Sequence, residues 1–104
     1  MKVIIEEQVR LSILEFYAVS MQLHPTLDEP TVMAKVERLI GAMRELDKFY
    51  FIYPVARLKQ SWIEAGYKEM IVEDFHIAFR IETDEEGDRY IVVHDAAHSL
   101  LYHE

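Results

Sequence analysis

Two polar side chains suited to acid–base and charge chemistry lie in one alternating segment of the sequence. His76 and Arg80 alternate with the apolar residues Phe75, Ile77 and Phe79. This period of two predicts a strand in which both polar side chains leave the same face of a sheet. Histidine exchanges protons near neutral pH, and arginine carries a permanent charge that suits phosphate. The spacing favours either a surface that handles a charged substrate or a solvated, basic sheet face.

A second group of histidines stands near the C-terminus. His94 and His98 are four residues apart, with Asp95 between them and His103 after them, and a histidine pair at this spacing on a helix can bind zinc. The flanking sequence instead predicts a strand that ends at His94 and an irregular tail. Because no second motif supplies further ligands, we expect neither a metal site nor another cofactor.

Aromatic and basic residues also occur together in the middle of the chain. Arg57 and Lys59 precede Trp62, a combination that can contact phosphate or an acidic partner, although ordinary solvated charge is the favoured explanation. Residues 49–53 are mostly aromatic, and we expect core packing in preference to a base-stacking platform. They form either the last turn of a helix or a short extended piece.

Two helices are predicted before these residues. Residues 3–5 form a β-branched run typical of a strand. The period then becomes helical and stays so until Pro25, which disfavours helical geometry in the residue before it. Asp28 is a suitable N-cap for a second helix, with Pro30 in its first turn. Gly41 inside that helix costs about 1 kcal/mol relative to alanine, so we expect close packing around it.

After Gly66 the pattern alternates with a period of two. It predicts strands over residues 67–72, 75–82 and 89–94, with a tight turn at Glu73 and Asp74 and with one dry and one polar sheet face. The predicted architecture is one α+β domain over residues 1–104, in which a two-helix hairpin packs on an antiparallel meander and the N-terminal strand joins the sheet. The strand residues Phe75, Ile77, Phe79 and Ile81 should be buried against the helix residues Val9, Ile13, Val36 and Ile40.

Composition limits the classes of function. The chain has 104 residues, 51% of them hydrophobic, and no cysteine, so neither disulfides nor thiolate metal sites stabilise it. The net charge of −8 repels phosphate backbones at long range. The N-terminal apolar run is too short for a signal peptide, and no run approaches the roughly 20 apolar residues of a membrane span. We therefore expect a cytoplasmic protein without a membrane partner.

The order of strand, two helices and three-strand meander resembles the RelE/ParE family of toxins from bacterial type II toxin–antitoxin modules, over nearly the whole chain. Family members commonly open the second strand with a glycine, an aromatic and a basic residue. An aromatic-Arg-x-x-Tyr-Arg hairpin follows, and a histidine or basic residue comes after the last strand. The matching segments here are residues 65–72, 75–81 and 91–94, leading to His98 and Ser99.

The chain departs from this family pattern at three positions. His76 stands where an arginine is usual, Phe79 where a tyrosine is usual, and Met70 where some ribonuclease members carry a second lysine. An arginine-to-histidine exchange removes a permanent charge and a bidentate phosphate contact.

The resemblance implies a toxin that a separately encoded antitoxin silences. Such a toxin is either an endoribonuclease acting on messenger RNA or a ParE-like protein that poisons DNA gyrase, and a non-catalytic interaction module of the same fold is the alternative. In a ribonuclease, the site residues would activate the ribose 2′-hydroxyl, stabilise the phosphorane and protonate the leaving oxygen. The candidate catalytic residues are Lys68, His76, Arg80, His98 and Tyr102. For His98 and Tyr102, a C-terminal tail packed on the core is the simpler explanation.

Charge predicts that any ribonuclease activity is weak or absent. Binding to RNA depends on counterion release by several cations presented together, whereas Glu69, Glu73, Asp74 and Glu82 lie beside the candidate bases. RNA, the ribosome and gyrase are therefore disfavoured as targets. A domain of this size gains stability from a partner, so we expect a cognate antitoxin or a second copy, burying on the order of 1,200 Å².

Overall fold

The predicted strand, two long helices and three strands follow one another in the computed structural model, which describes residues 1–102. Three short helices lie between the second long helix and the second strand, and the last of them was not predicted. The elements are β1 (Lys2–Ile5), α1 (Glu7–Leu23), α2 (Glu29–Arg44), α3 (Leu46–Phe49), a 3-10 helix (Tyr50–Ile52), α4 (Gln60–Ala65), β2 (Lys68–Val72), β3 (Phe75–Thr83) and β4 (Arg89–His98). The predicted α+β class is confirmed.

The two long helices begin and end where local signals place them. α1 stops at Leu23, so that Pro25 lies outside it. The Asp28 side chain accepts a hydrogen bond of 2.9 Å from the backbone N–H of Thr31 and caps α2. Both predicted boundaries are confirmed. Within residues 1–102, no helix combines the length and the apolar character needed to cross a lipid bilayer.

The sheet has four strands in the order β1-β4-β3-β2. β1 pairs with β4 in parallel, and β2, β3 and β4 form the antiparallel meander. Glu73 and Asp74 connect β2 to β3 with φ angles of 50° and 66°, since a two-residue hairpin loop of the type I′ geometry needs positive φ at both positions. The predicted turn and the joining of the N-terminal strand are confirmed.

The predicted end of β4 at His94 is wrong, because β4 continues to His98. A β-bulge explains the difference. Ala78 pairs with Asp95 and Phe79 pairs with Val93, which leaves His94 without an opposite residue. The extra residue shifts the in–out alternation by one position, so the period-two pattern breaks there although the pairing resumes.

The main core lies between the helices and one face of the sheet. Phe75, Ile77 and Phe79 are buried there with Val9 and Ile13, as predicted. The other three residues that were predicted to be buried in this core are only half-buried at its margin, namely Ile81, Val36 and Ile40.

The opposite face of the sheet, called the outer face below, carries a second and smaller cluster. Trp62 of α4 packs there with Ala56 and Ala78, and all three are buried. The expectation of one uniformly polar face is therefore wrong over this part of the sheet. α4 covers it because Ala78 is small enough to accept an indole ring against the strand.

The aromatic residues 49–53 divide between the core and the surface. Tyr50 and Tyr53 pack against the main core, whereas Phe49 and Phe51 are exposed. The segment is helical up to Ile52, as the end of α3 and the 3-10 helix. The expected core packing therefore holds for the tyrosines alone.

The expectation of close packing at Gly41 is wrong, because Gly41 is exposed and an added Cβ atom would meet nothing within 4 Å.

We predict that Gly41→Ala raises the free energy of unfolding by about 0.5–1 kcal/mol, since alanine restricts the unfolded chain and favours the helix. Urea unfolding measures this change. Gly66→Ala is the matched control, because it has equal space but a φ of +75°, so it should destabilise the fold. Equal effects of both substitutions would contradict the explanation.

Candidate functional site

Three side chains on the outer face form a hydrogen-bonded group, called the Glu69 cluster below. His76 Nδ1 lies 2.8 Å from Glu69 Oε2. The Tyr102 hydroxyl donates a hydrogen bond of 2.8 Å to Glu69 Oε1. The His76 and Tyr102 rings meet edge to face with centroids 3.8 Å apart. The structure thus brings His76 and Tyr102 together through a carboxylate that the sequence had indicated only as a competing charge.

Strand register explains how Glu69 reaches His76. Ile71 is directly opposite His76 and Glu69 is opposite Ala78, so Glu69 and His76 are diagonal neighbours on one face of the hairpin. Tyr102 follows β4 and places its ring 5.4 Å from that of Trp62. When β2 and β3 are aligned across the two-residue turn, Glu69, His76 and Arg80 point to the same face of the hairpin. This alignment is the sequence signal that could have identified the carboxylate.

The Glu69 cluster is shielded from solvent, which affects the protonation of Tyr102. The His76 and Glu69 side chains are 14% and 12% exposed. Burial, aided by the hydrogen bond to Glu69, raises the pKa of Tyr102 to about 12. The phenol therefore stays protonated at neutral pH and acts as a hydrogen-bond donor to the carboxylate.

Arg80 lies on the outer face but has its charge paired within the chain. Its guanidinium forms an ion pair with Glu82 and stands over the Tyr67 ring, 5.5 Å from the centroid. The structure therefore places Arg80 on the same face as His76, as the parity predicts, and gives it internal partners.

Lys68 lies apart from these residues. It is opposite Phe79 in the β2–β3 register, on the core side of the sheet. Its amine donates hydrogen bonds to the carbonyl oxygens of Tyr53 at 3.1 Å and Tyr50 at 3.5 Å. Lys68 thus holds the chain that follows α3 against the sheet.

His98 also lies on the core side of the sheet. Its ring stacks on Phe16 of α1 with centroids 4.0 Å apart and meets Phe75 edge to face at 5.2 Å. The backbone N–H of Leu100 donates to its Nδ1 at 3.1 Å. Burial lowers the pKa of His98, against the opposing influence of Asp74. Of the two C-terminal candidates, the structure therefore brings only Tyr102 to His76.

The histidines considered for metal binding point in different directions. His94 pairs with Glu6 and stacks on Tyr67 with centroids 4.8 Å apart, and Asp95 accepts a hydrogen bond of 3.1 Å from the Trp62 indole. His103 lies outside the described residues. Over residues 1–102 no three potential metal ligands come together.

The chain matches no family model, no curated protein and no solved structure. The RelE/ParE resemblance therefore stays a prediction.

We predict that His98 makes stability depend on pH. Because burial lowers its folded pKa below the ordinary value of 6.5, its contribution to stability is present above pH 6.5 and is lost as the pH falls through the folded pKa. The free energy of unfolding should fall with acidification from about pH 7, and His98→Phe, which retains an aromatic ring against Phe16, should reduce this slope. Urea unfolding across the pH range measures it, with His24→Phe at an exposed histidine as the control. Parallel pH profiles for His98→Phe and the parent would contradict the prediction.

Proposed function

We propose that this chain is the toxin-like component of a cytoplasmic type II toxin–antitoxin pair, and that it acts by binding a protein instead of cleaving RNA. The order of strand, two helices and meander supports the RelE/ParE part of the proposal. The observation that carries the choice of mechanism is that Lys68, His76 and Arg80 each have an internal partner.

Cleavage of RNA needs cations that face a phosphate together. On the outer face Glu69 contacts His76 and Glu82 contacts Arg80. On the core side of the sheet, backbone carbonyls hold the Lys68 amine. Each group would have to give up an existing contact before it bound phosphate. Together with the net charge of −8, these contacts favour a protein target.

Exposed apolar surface supports binding to a protein. α1 and the residues after β4 border a groove of about 550 Å³ that contains Phe16 and His98. Val19 and Leu23 on α1, and Leu100 after β4, are at least half exposed at this groove. Contiguous apolar surface of this kind is typical of protein–protein contacts. The antitoxin, or a second copy, is the partner that we propose.

We predict that expression of the chain alone in a bacterium arrests growth without new messenger RNA cleavage, and that co-expression of an antitoxin encoded beside it restores growth. Growth, messenger RNA integrity and DNA damage are followed together, with Val19→Glu at the groove as the test variant and Ile63→Glu on α4 as the exposed control. Co-expression of the antitoxin should no longer restore growth with Val19→Glu, whereas it should still restore growth with Ile63→Glu. DNA damage during the arrest would indicate gyrase as the protein target. Unaltered growth would overturn the toxin proposal in favour of a non-catalytic interaction module.

A second candidate is acid–base cleavage of RNA, and the Glu69 cluster favours it. A carboxylate at 2.8 Å from His76 Nδ1 orients an imidazole as general acids and bases require. In that case the purified chain, free of partner, should cleave translated messenger RNA. His76→Ala should then reduce the rate by about 10²-fold or more, while Arg80→Ala and His98→Ala separate the other candidates and His24→Ala is the control. Absence of cleavage by the unaltered chain would eliminate this candidate.

A further inference from the structure

β2 is an edge strand of the sheet, and residues 1–102 themselves cover only its first half. Ala56 donates a backbone hydrogen bond of 2.9 Å to the Tyr67 carbonyl, and Glu69 donates one of 3.0 Å to the Pro54 carbonyl. Residues 54–56 therefore pair with β2 like a very short antiparallel strand. The chain before them departs from this line in the 3-10 helix Tyr50–Ile52.

The next outward-facing residue of β2 is Ile71. Backbone groups of a strand alternate in direction, so the Ile71 N–H and C=O point away from β3, as those of Glu69 do. Throughout residues 1–102, no other backbone segment pairs with β2 at this position. The N–H and C=O groups of Ile71 are therefore available to pair with the backbone of an extended peptide.

An apolar groove runs beside this edge. Ile71, Val55 and Leu58 are 62%, 59% and 57% exposed. They belong to a groove of about 570 Å³, which is lined by Tyr53, Pro54, Val55, Arg57, Leu58, Glu69 and Ile71. A free strand edge beside exposed apolar side chains is the arrangement by which sheets accept a peptide strand.

The charge that this groove presents is positive. Glu69 is only 12% exposed, and its two oxygens already bind His76 and Tyr102. Arg57 is exposed and forms no ion pair with any of residues 1–102. A bound segment would therefore gain from a carboxylate placed at Arg57.

We propose that the β2 edge binds an extended, apolar and acidic segment of a partner protein as an added strand, with a carboxylate of that segment on Arg57. Backbone hydrogen bonds to Ile71 hold the segment, and its apolar side chains contact Val55 and Leu58. As a protein-binding surface, this edge rests on the proposed function in part. A second copy that presents the same edge suits it less well, because it would bring another Arg57 to this groove instead of a free carboxylate.

The probe is an octapeptide of alternating valine and glutamate, N-methylated along one edge so that it cannot pair with itself. Amide chemical shifts of the isotope-labelled chain are followed by NMR as the peptide is added. We expect shifts at Val55, Arg57 and Ile71, and binding at least tenfold weaker for the matched valine–lysine peptide. Arg57→Glu should reverse this preference, whereas Leu11→Glu on α1, which is exposed and lines neither groove, should not.

Ile71→Pro tests the backbone contact, because it removes an outward N–H that the β2–β3 ladder does not use. Binding should be lost while the rest of the spectrum is retained. If this variant does not fold, Arg57→Glu with the two peptides still decides the question. Absence of shifts at Ile71, equal binding of both peptides, or self-association through the β2 edge would overturn the proposal. None of these results depends on growth arrest, so failure here is distinct from failure of the proposed function.

Discussion

The contact between Trp62 and Ala78 determines how the outer face of the sheet is used. Phe75, Ile77 and Phe79 attach one face of β3 to the helical core, and Ala78 between them is fully buried on the other. A strand that is buried on both faces fixes the position of its neighbours, because any slip in register would expose apolar side chains. The indole on Ala78 then supports Tyr102, and Tyr102 completes the Glu69 cluster. A side chain larger than alanine at residue 78 would displace α4 and, with it, the cluster.

The carboxylates of this acidic chain act as internal partners for its cations. Glu69 binds His76, Glu82 binds Arg80, and Glu73 at the hairpin turn binds both Arg38 and Lys35 of α2. The more exposed of these pairs, at Glu73 and Glu82, add little to stability. Their larger consequence concerns function, since they occupy the basic groups that would otherwise attract phosphate. Arg57 is different, because it is exposed beside an apolar groove without a carboxylate partner in residues 1–102.

The edges of the sheet show how a small domain keeps surfaces for partners. β4 and β3 are central and paired on both sides, whereas β2 is covered, within the described part of the chain, only as far as residues 54–56 reach. Extending that coverage past Glu69 would have required Ile52 to remain extended. Instead the segment turns helical and places Tyr50 and Tyr53 on the core, where their carbonyls also hold Lys68. Burial of the tyrosines and exposure of the β2 edge are thus two results of one turn in the chain.

The sequence by itself determined the elements whose signals are local. Asp28 and Pro25 mark helix boundaries, and period-two alternation marks β2 and β3. The apolar faces of these helices and strands predict the main core. These predictions succeed because capping, proline geometry and side-chain periodicity act over a few residues. The same parity placed His76 and Arg80 on one face.

Only the tertiary structure decided which candidates meet. The bulge at His94 moves His98 to the core side, where it stacks on Phe16, and without that extra residue the alternation would direct it to the outer face. Register between β2 and β3 directs Lys68 inward and brings Glu69 diagonal to His76. These outcomes depend on pairing between strands and on the packing of α4 against Ala78. The two-residue turn at Glu73 and Asp74 already indicated the β2–β3 register. The bulge at His94 and the packing of α4 depend on contacts between residues distant in the chain, which no local pattern of residue types contains.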